Sequence, residues 1–325
     1  MLTQAFFFSV GLLGLYLGAE WLVRGAARLA RSLGVSPLVI GLTVVAFGTS
    51  SPELVVSGLA SFRGQTDVAV GNVIGSNILN VALILGIAAL IHPLRVEARL
   101  VAREVPIMIL TSLAVAALAL GGMVGRLEGV GLVAALITYV IYLIRSSRRE
   151  SAAVQAEFEE FEVERALEPY GESRLRDVFL VVVGLASLMG GGQLLVGAAT
   201  HFARALGVSE LTIGLTIVAI GTSLPELATS VVSAIRREAD IALGNIVGSN
   251  IFNLLGILGV AAVIRPLTFS RDVLLIDMPI MLAFSIALLP LAWTRMRLDR
   301  WEGALLVTGY VAFTMLLFSR FDGGL

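Results

Sequence analysis

The sequence predicts an all-α membrane protein: ten transmembrane helices arranged as two inverted five-helix repeats, with discontinuous helices at the working site. Three observations carry that prediction. Of 325 residues, 57% are hydrophobic and only 14% charged, with a mean hydropathy of +0.93, far from a soluble composition. Apolar stretches of about 20 residues, the length that crosses a bilayer, recur along the whole chain. Adding 173 to a residue number in the first half reproduces the second half.

The expected spans lie near 5–23, 38–62, 68–91, 102–121, 127–144, 177–199, 211–235, 241–264, 273–292 and 301–318. Met1–Leu17 lacks the positive start of a signal peptide. The stretch Gly11–Gly34 has a counterpart deep inside the chain, so it reads as the first transmembrane helix. Between spans five and six lies a polar segment, Arg145–Arg176, with Glu157, Glu159, Glu160, Glu162, Glu164 and Glu168 among arginines. It reads as a solvated, partly helical linker. The organisation is therefore a first repeat at 1–144, a linker at 145–176 and a second repeat at 177–325. Gly34-Val35-Ser36 matches Gly207-Val208-Ser209, Gly41-Leu42-Thr43 matches Gly214-Leu215-Thr216, and Pro93-Leu94 matches Pro266-Leu267. Between 41–80 and 214–253, 22 of 40 residues are identical; the register slips by one only near the end, where Glu128-Gly129 pairs with Glu302-Gly303. Five spans per copy is an odd number, so the second copy enters the membrane the other way up.

All 23 basic residues are arginines. Loops after odd-numbered spans hold 17 and the opposite side 6. The positive-inside rule then places the linker 145–176 in the cytoplasm and both termini outside. A net charge of -1 gives no basic footprint for nucleic acid. The absence of cysteine excludes disulfides, thiolate metal sites and iron–sulfur clusters. His92 and His201 lie outside the motifs. The surroundings implied are membrane lipid, and no obligatory protein partner is evident.

Two pairs of motifs carry the chemistry. Gly48-Thr49-Ser50-Ser51-Pro52-Glu53 returns as Gly221-Thr222-Ser223-Leu224-Pro225-Glu226. A carboxylate at bilayer depth costs roughly 2.5–3.5 kcal/mol on insertion scales, so two of them imply a use. Proline breaks a continuous helix but suits the first turn of a new one. Each motif thus reads as a break followed by a half-helix, with the hydroxyls of Thr49, Ser50, Thr222 and Ser223 beside freed carbonyls. Thr49 and Glu53, and likewise Thr222 and Glu226, are four apart and share a helical face if the turn holds. The second pair is Gly71-Asn72-Val73-Ile74-Gly75-Ser76-Asn77-Ile78-Leu79-Asn80 and Gly244-Asn245-Ile246-Val247-Gly248-Ser249-Asn250-Ile251-Phe252-Asn253. Asn72, Ser76 and Asn80 form one polar stripe, repeated by Asn245, Ser249 and Asn253. The four glycines suit close helix packing. Asn80 and Asn253 lie too deep in apolar sequence for that and read as coordinating residues.

The combined donors are carboxylates, hydroxyls, amide oxygens and carbonyls, with no imidazole or thiolate. All-oxygen ligation suits hard cations; Ca²⁺ takes roughly 6–8 oxygens. Two glutamates balance one divalent ion, or monovalent ions of equal total charge. Either cargo neutralises the site for reorientation, whereas the empty, doubly charged site resists dehydration. Elsewhere, Glu20 and Arg24 read as a surface i,i+4 pair. Glu104 and Asp277, each two before a proline, read as helix caps.

These paired motifs resemble the two alpha repeats of the cation/calcium exchanger superfamily, in its prokaryotic sodium/calcium exchanger branch, over nearly the whole chain. The alpha-1 motif is 41–80 and the alpha-2 motif 214–253. The resemblance implies a secondary antiporter, not an enzyme, that exchanges Na⁺ for Ca²⁺ across the cell membrane by alternating access, with transported ions as its only bound groups and no cofactor. It implies Glu53 and Glu226 as central ligands, joined around Ca²⁺ by Thr49 and Thr222. Ser50, Ser76, Ser223 and Ser249 would serve flanking Na⁺ positions, Ala46 and Ala219 would supply carbonyls, and Asn80 would stand at the midplane. Some prokaryotic relatives have Asp where this chain has Asn253, one titratable group more. H⁺ or K⁺ coupling on the same fold is the nearest alternative. A cation channel is disfavoured by the inverted repeat, and an intramembrane hydrolase by the lack of His or Lys near the motif serines.

Overall fold

The computed structural model describes residues 2–158, 174–206 and 219–322. The middle of the linker, the start of the seventh expected span (with Gly207-Val208-Ser209 and Gly214-Leu215-Thr216) and the two chain ends lie outside the described residues.

A helix stands at each of the ten expected positions. The first half contains α1 (Leu2–Leu33), α2 (Pro37–Thr49), α3 (Ser51–Phe62), α4 (Thr66–Ile91), α5 (Leu100–Ala119) and α6 (Arg126–Phe158). The second contains α7 (Arg174–Ala205), α8 (Ala219–Thr222), α9 (Leu224–Ile235), α10 (Ala239–Ile264), α11 (Val273–Met296) and α12 (Arg300–Asp322). Among the described residues, seven of these are individually long and apolar enough to cross a bilayer. The pair α2–α3, bent by 46° at Ser50, makes an eighth as one broken span. Pro52 and Pro225 stand in the first turn of α3 and α9, where a missing N–H costs nothing.

Contacts between the halves follow the 173-residue offset. The equivalent helices α1 and α7 lie side by side and antiparallel: Gly11 meets Gly191, Gly18 meets Gly184, and Gly25 meets Asp177. A Cβ on Gly18 would lie 2.8 Å from the Gly184 carbonyl oxygen, so only glycine permits this approach. Two short ribbons also cross between halves. β1 (Leu94–Arg95) pairs antiparallel with β4 (Arg297–Leu298), and β2 (Met123–Val124) with β3 (Leu267–Thr268). Two equivalent helices running antiparallel against each other are what an inverted pair of repeats produces.

The most enclosed helices are α4 and α10, with 72% and 89% of their apolar windows buried against 22–39% for the other unbroken spans. The second motif pair therefore occupies the centre of the bundle. Gly244 and Gly248 let α10 touch α2: a Cβ on Gly248 would lie 2.6 Å from the Leu42 carbonyl oxygen. Large apolar side chains such as Phe6, Leu12, Leu110 and Ile137 face outward, as a lipid solvent requires.

Wide i→i+5 turns interrupt the helices at Gly41–Val45, Asn80–Ile84, Leu100–Glu104, Asn253–Ile257 and Val273–Asp277. The turns at 100–104 and 273–277 come just before Pro106 and Pro279, where a regular ladder would clash with the ring. They also overturn the capping role expected of Glu104. Its helix starts earlier, at Leu100, so Glu104 is interior and buried. It accepts bonds from Arg99 Nε (3.2 Å) and Tyr139 OH (2.8 Å), pinning α5 to α6. Asp277 likewise lies inside α11 and makes no side-chain cap.

Candidate functional site

The break at Ser50 turns the chain from α2 into α3 and puts Glu53 in the first turn of the half-helix. Ser223 does the same between α8 and α9 for Glu226. Both glutamates are buried, 1% exposed. Each is held by the other repeat. Ser223 Oγ donates to Glu53 Oε1 at 2.8 Å, and Ser50 Oγ donates to Glu226 Oε1 at 2.9 Å. The threonines stand across as well, Thr222 beside Glu53 and Thr49 beside Glu226. The Thr49 hydroxyl itself is donated to Asn245 Oδ1 of the other repeat, and the 46° bend at Ser50 ends the turn that would have aligned Thr49 with Glu53.

The stripe on α4 and its copy on α10 divide into two parts. The outer asparagines brace the half-helices. Asn72 Nδ2 donates to Ser57 Oγ (2.9 Å) and the Glu53 carbonyl (3.4 Å). Asn245 Nδ2 donates to Ser230 Oγ (3.2 Å), and its Oδ1 accepts Thr49 Oγ1 (3.0 Å). The inner asparagines, Asn80 and Asn253, stand where the wide turns begin. The turn at Asn80 packs against α9, the half-helix that carries Glu226, and the turn at Asn253 against α3, which carries Glu53. Ser76 Oγ lies 3.4 Å from Ser223 Oγ.

Five buried oxygens here have no hydrogen-bond partner among the described residues: Glu53 Oε2, Glu226 Oε2, Asn80 Oδ1, Asn253 Oδ1 and Ser249 Oγ. Buried polar atoms are nearly always satisfied. Four of the five are carboxylate or amide oxygens, which only accept, and the fifth is a serine hydroxyl, whose lone pairs can accept once its hydrogen turns away; such a set of oxygens can hold a cation. Among the described residues no group of three or more His, Cys, Asp or Glu side chains comes together. Among the described residues, the formal charge of the site therefore rests on the two glutamates. The expected carbonyl of Ala46 is engaged in this conformation, accepting Ser50 N (3.0 Å) and Thr49 Oγ1 (3.4 Å). Ala219 opens α8.

Sequence reasoning missed Asn77 and Asn250 as partners of the inner asparagines: Asn80 Nδ2 donates to Asn250 Oδ1 (3.1 Å), and Asn253 Nδ2 to Asn77 Oδ1 (3.3 Å). Both belong to the Gly-Ser-Asn core of the motif, which was the available signal. Glu20 also proves to be more than a surface pair. It is buried at 9% exposure and binds Arg236, just beyond the end of α9, as well as Arg24. The equivalents of Glu20 and Arg236 are Gln193 and Arg63, so the ion cluster exists once only.

The sodium/calcium exchanger protein family model matches residues 3–145 and 177–319. The chain is 38% identical to inner membrane protein YrbG of Escherichia coli (strain K12), over 98% of each. It is 35% identical to sodium/calcium exchanger MaX1 of Methanosarcina acetivorans, over 95% of this chain and 97% of that one. Among solved structures it is similar to the sodium-calcium exchanger NCX_Mj, with a TM-score of 0.84 at 31% identity, covering 97% of this chain and 98% of the other. The chain thus belongs to the sodium/calcium exchanger protein family and is a multi-pass membrane cation/Ca²⁺ antiporter, not an enzyme.

Proposed function

We propose that this antiporter couples Ca²⁺ movement to Na⁺ and binds both at one site centred on Glu53 and Glu226. The observation that carries the reading is the reciprocal crossing: each glutamate is oriented by a serine of the other repeat, and each leaves one buried oxygen open. One Ca²⁺ between these carboxylates cancels both charges, and so do two Na⁺. Thr49 and Thr222 complete the Ca²⁺ shell. Ser50, Ser223, Ser76 and Ser249 serve Na⁺, and Asn80 and Asn253 offer their Oδ1 atoms between. Ala46 and Ala219 lend carbonyl oxygens when the hinge opens.

The moving parts are the repeats 1–144 and 177–325, joined by the cytoplasmic linker 145–176, with both termini outside. Because Ser50 and Ser223 each serve the opposite glutamate, the site forms only while the repeats face each other in register. Reorientation of the neutral, occupied site exposes it alternately to the two sides. The similarity to inner membrane protein YrbG supports placement in the inner membrane, and the similarity to the sodium/calcium exchangers MaX1 and NCX_Mj supports Na⁺ coupling. Asn253 is neutral, which favours Na⁺ over H⁺ as the coupling ion. The test is ⁴⁵Ca²⁺ uptake into proteoliposomes under imposed Na⁺, K⁺ or pH gradients. Uptake should follow an outward Na⁺ gradient. Uptake no greater than that driven by a pH or K⁺ gradient would refute the coupling.

A further inference from the structure

The inner asparagines do not choose their own orientation. Asn80 gives its NH₂ to Asn250 Oδ1, and Asn253 gives its NH₂ to Asn77 Oδ1. Behind them, Asn250 Nδ2 donates to Met108 Sδ at 3.5 Å, and Asn77 Nδ2 donates to Met281 Sδ at 3.7 Å. All six side chains are buried. Each line alternates between repeats: Met108 to Asn250 to Asn80, and Met281 to Asn77 to Asn253. The offset of 173 turns one line into the other, so the same arrangement is built twice.

A thioether sulfur has lone pairs and no hydrogen, so it accepts and never donates. It can satisfy the nitrogen end of an amide but not the oxygen end. With the nitrogen of Asn77 on Met281, its oxygen faces Asn253 and takes the NH₂ of that residue. The carbonyl oxygen of Asn253 is then the atom left over, as observed. Reversing the line would oppose two lone-pair atoms at sulfur. It would also present the NH₂ groups of Asn80 and Asn253, positive at their hydrogens, in place of the two open oxygens.

We propose that Met108 and Met281 are positioning residues of the cation site, holding Asn80 and Asn253 oxygen-first through Asn250 and Asn77. The proposal rests on the reading of Asn80 and Asn253 as cation ligands. The two methionines never meet the ion. They decide the sign of two dipoles in a site whose formal charge, among the described residues, comes from two glutamates, much as outer partners orient first ligands at other metal sites.

The experiment uses the full-length protein in proteoliposomes, with half-saturating Ca²⁺ and Na⁺ measured separately from maximal rate. Met108→Leu, Met281→Leu and their combination keep volume and remove the acceptor. The double variant should raise half-saturating cation on the order of tenfold, with maximal rate held within about twofold. Met108→Gln and Met281→Gln restore an acceptor oxygen and should return half-saturation towards the wild-type value. Unchanged half-saturation in the leucine variants overturns the proposal, as does a fall confined to maximal rate or glutamine variants as weak as the leucine ones. Wild-type protein and Glu53→Gln are assayed alongside. If the wild type shows no Na⁺-driven Ca²⁺ uptake, or Glu53→Gln transports normally, the reading of the site fails and takes the relay with it. If those two behave as expected while the leucine variants match wild type, the relay alone is wrong.

Discussion

Replacing Glu53 by Gln keeps the shape of the side chain and its bond from Ser223, because an amide oxygen can stand in for Oε1. It removes one of two formal charges. An ion between the carboxylates lies about 4 Å from each charge centre, where a unit pair is worth about 4 kcal/mol at an effective dielectric near 20, and a divalent ion doubles this to about 8. Removing one partner of a buried charge pair costs about 3–5 kcal/mol in practice, two to three decades or more of Ca²⁺ affinity and enough to abolish exchange at ordinary Ca²⁺ concentrations. Glu226→Gln should behave alike, and in the exchange assay the double variant should be no worse than either single one, since each single change already abolishes exchange of the ligand the two groups share. Ion-free protein should melt at a higher temperature in the single variants, because a buried charge with an open oxygen is gone. Added Ca²⁺ should stabilise wild type and not the variants. The assays are ⁴⁵Ca²⁺ exchange in proteoliposomes and thermal unfolding in detergent. A folded single variant with near-normal Ca²⁺ exchange would refute the paired site.

Asn253→Asp adds a third carboxylate where protons compete with cations, so the activity profile should move towards higher pH; an unchanged profile would place residue 253 away from the ions. Asn80→Ala and Asn253→Ala should weaken Na⁺ dependence more than Ca²⁺ affinity in the same uptake assay. Ser151→Cys, the sole cysteine of such a variant, should resist an impermeant reagent in intact cells and react in inverted vesicles; the opposite pattern would reverse the orientation. Gly248→Ala forces a Cβ to within 2.6 Å of the Leu42 carbonyl oxygen, and overpacking of this kind should cost about 1–3 kcal/mol, read as a lower melting temperature.

The broken spans and their glutamates were legible because they violate local rules: a proline and a carboxylate inside apolar sequence need a reason. The duplication was legible because Gly48–Glu53 and Gly71–Asn80 recur at one offset. What sequence periodicity reports is the face of a helix, not the neighbour that face meets. Thr49 was therefore read as sharing a face with Glu53, on its own helix, when its hydroxyl donates to Asn245 across the bundle. Asn77 lies outside the i,i+4 stripe of Asn72, Ser76 and Asn80, so its role depends on Asn253 arriving from α10. Glu104 was mistaken for a cap because the wide turn ahead of Pro106 extends its helix backwards by a turn. Glu20 has a visible partner four residues on, which concealed the second one 216 residues away.

That second partner has a kinetic consequence. A carrier made of two identical halves would have inward-facing and outward-facing states of equal free energy, and its two sides would show equal apparent affinity for the same ion. Here the carboxylate at position 20 is matched by an amide at position 193. Any state that parts Glu20 from Arg236 loses a contact for which its mirror-image state has no counterpart. With the Arg236 side chain 33% exposed, such a pair is worth roughly 0.2–1 kcal/mol, up to about fivefold in the ratio of the two populations. Apparent affinity falls with the population of the competent state. One carboxylate, remote from the ligands, is thus one source of inequality between the two faces of the membrane, and Glu20→Gln should bring their half-saturating ion concentrations closer together.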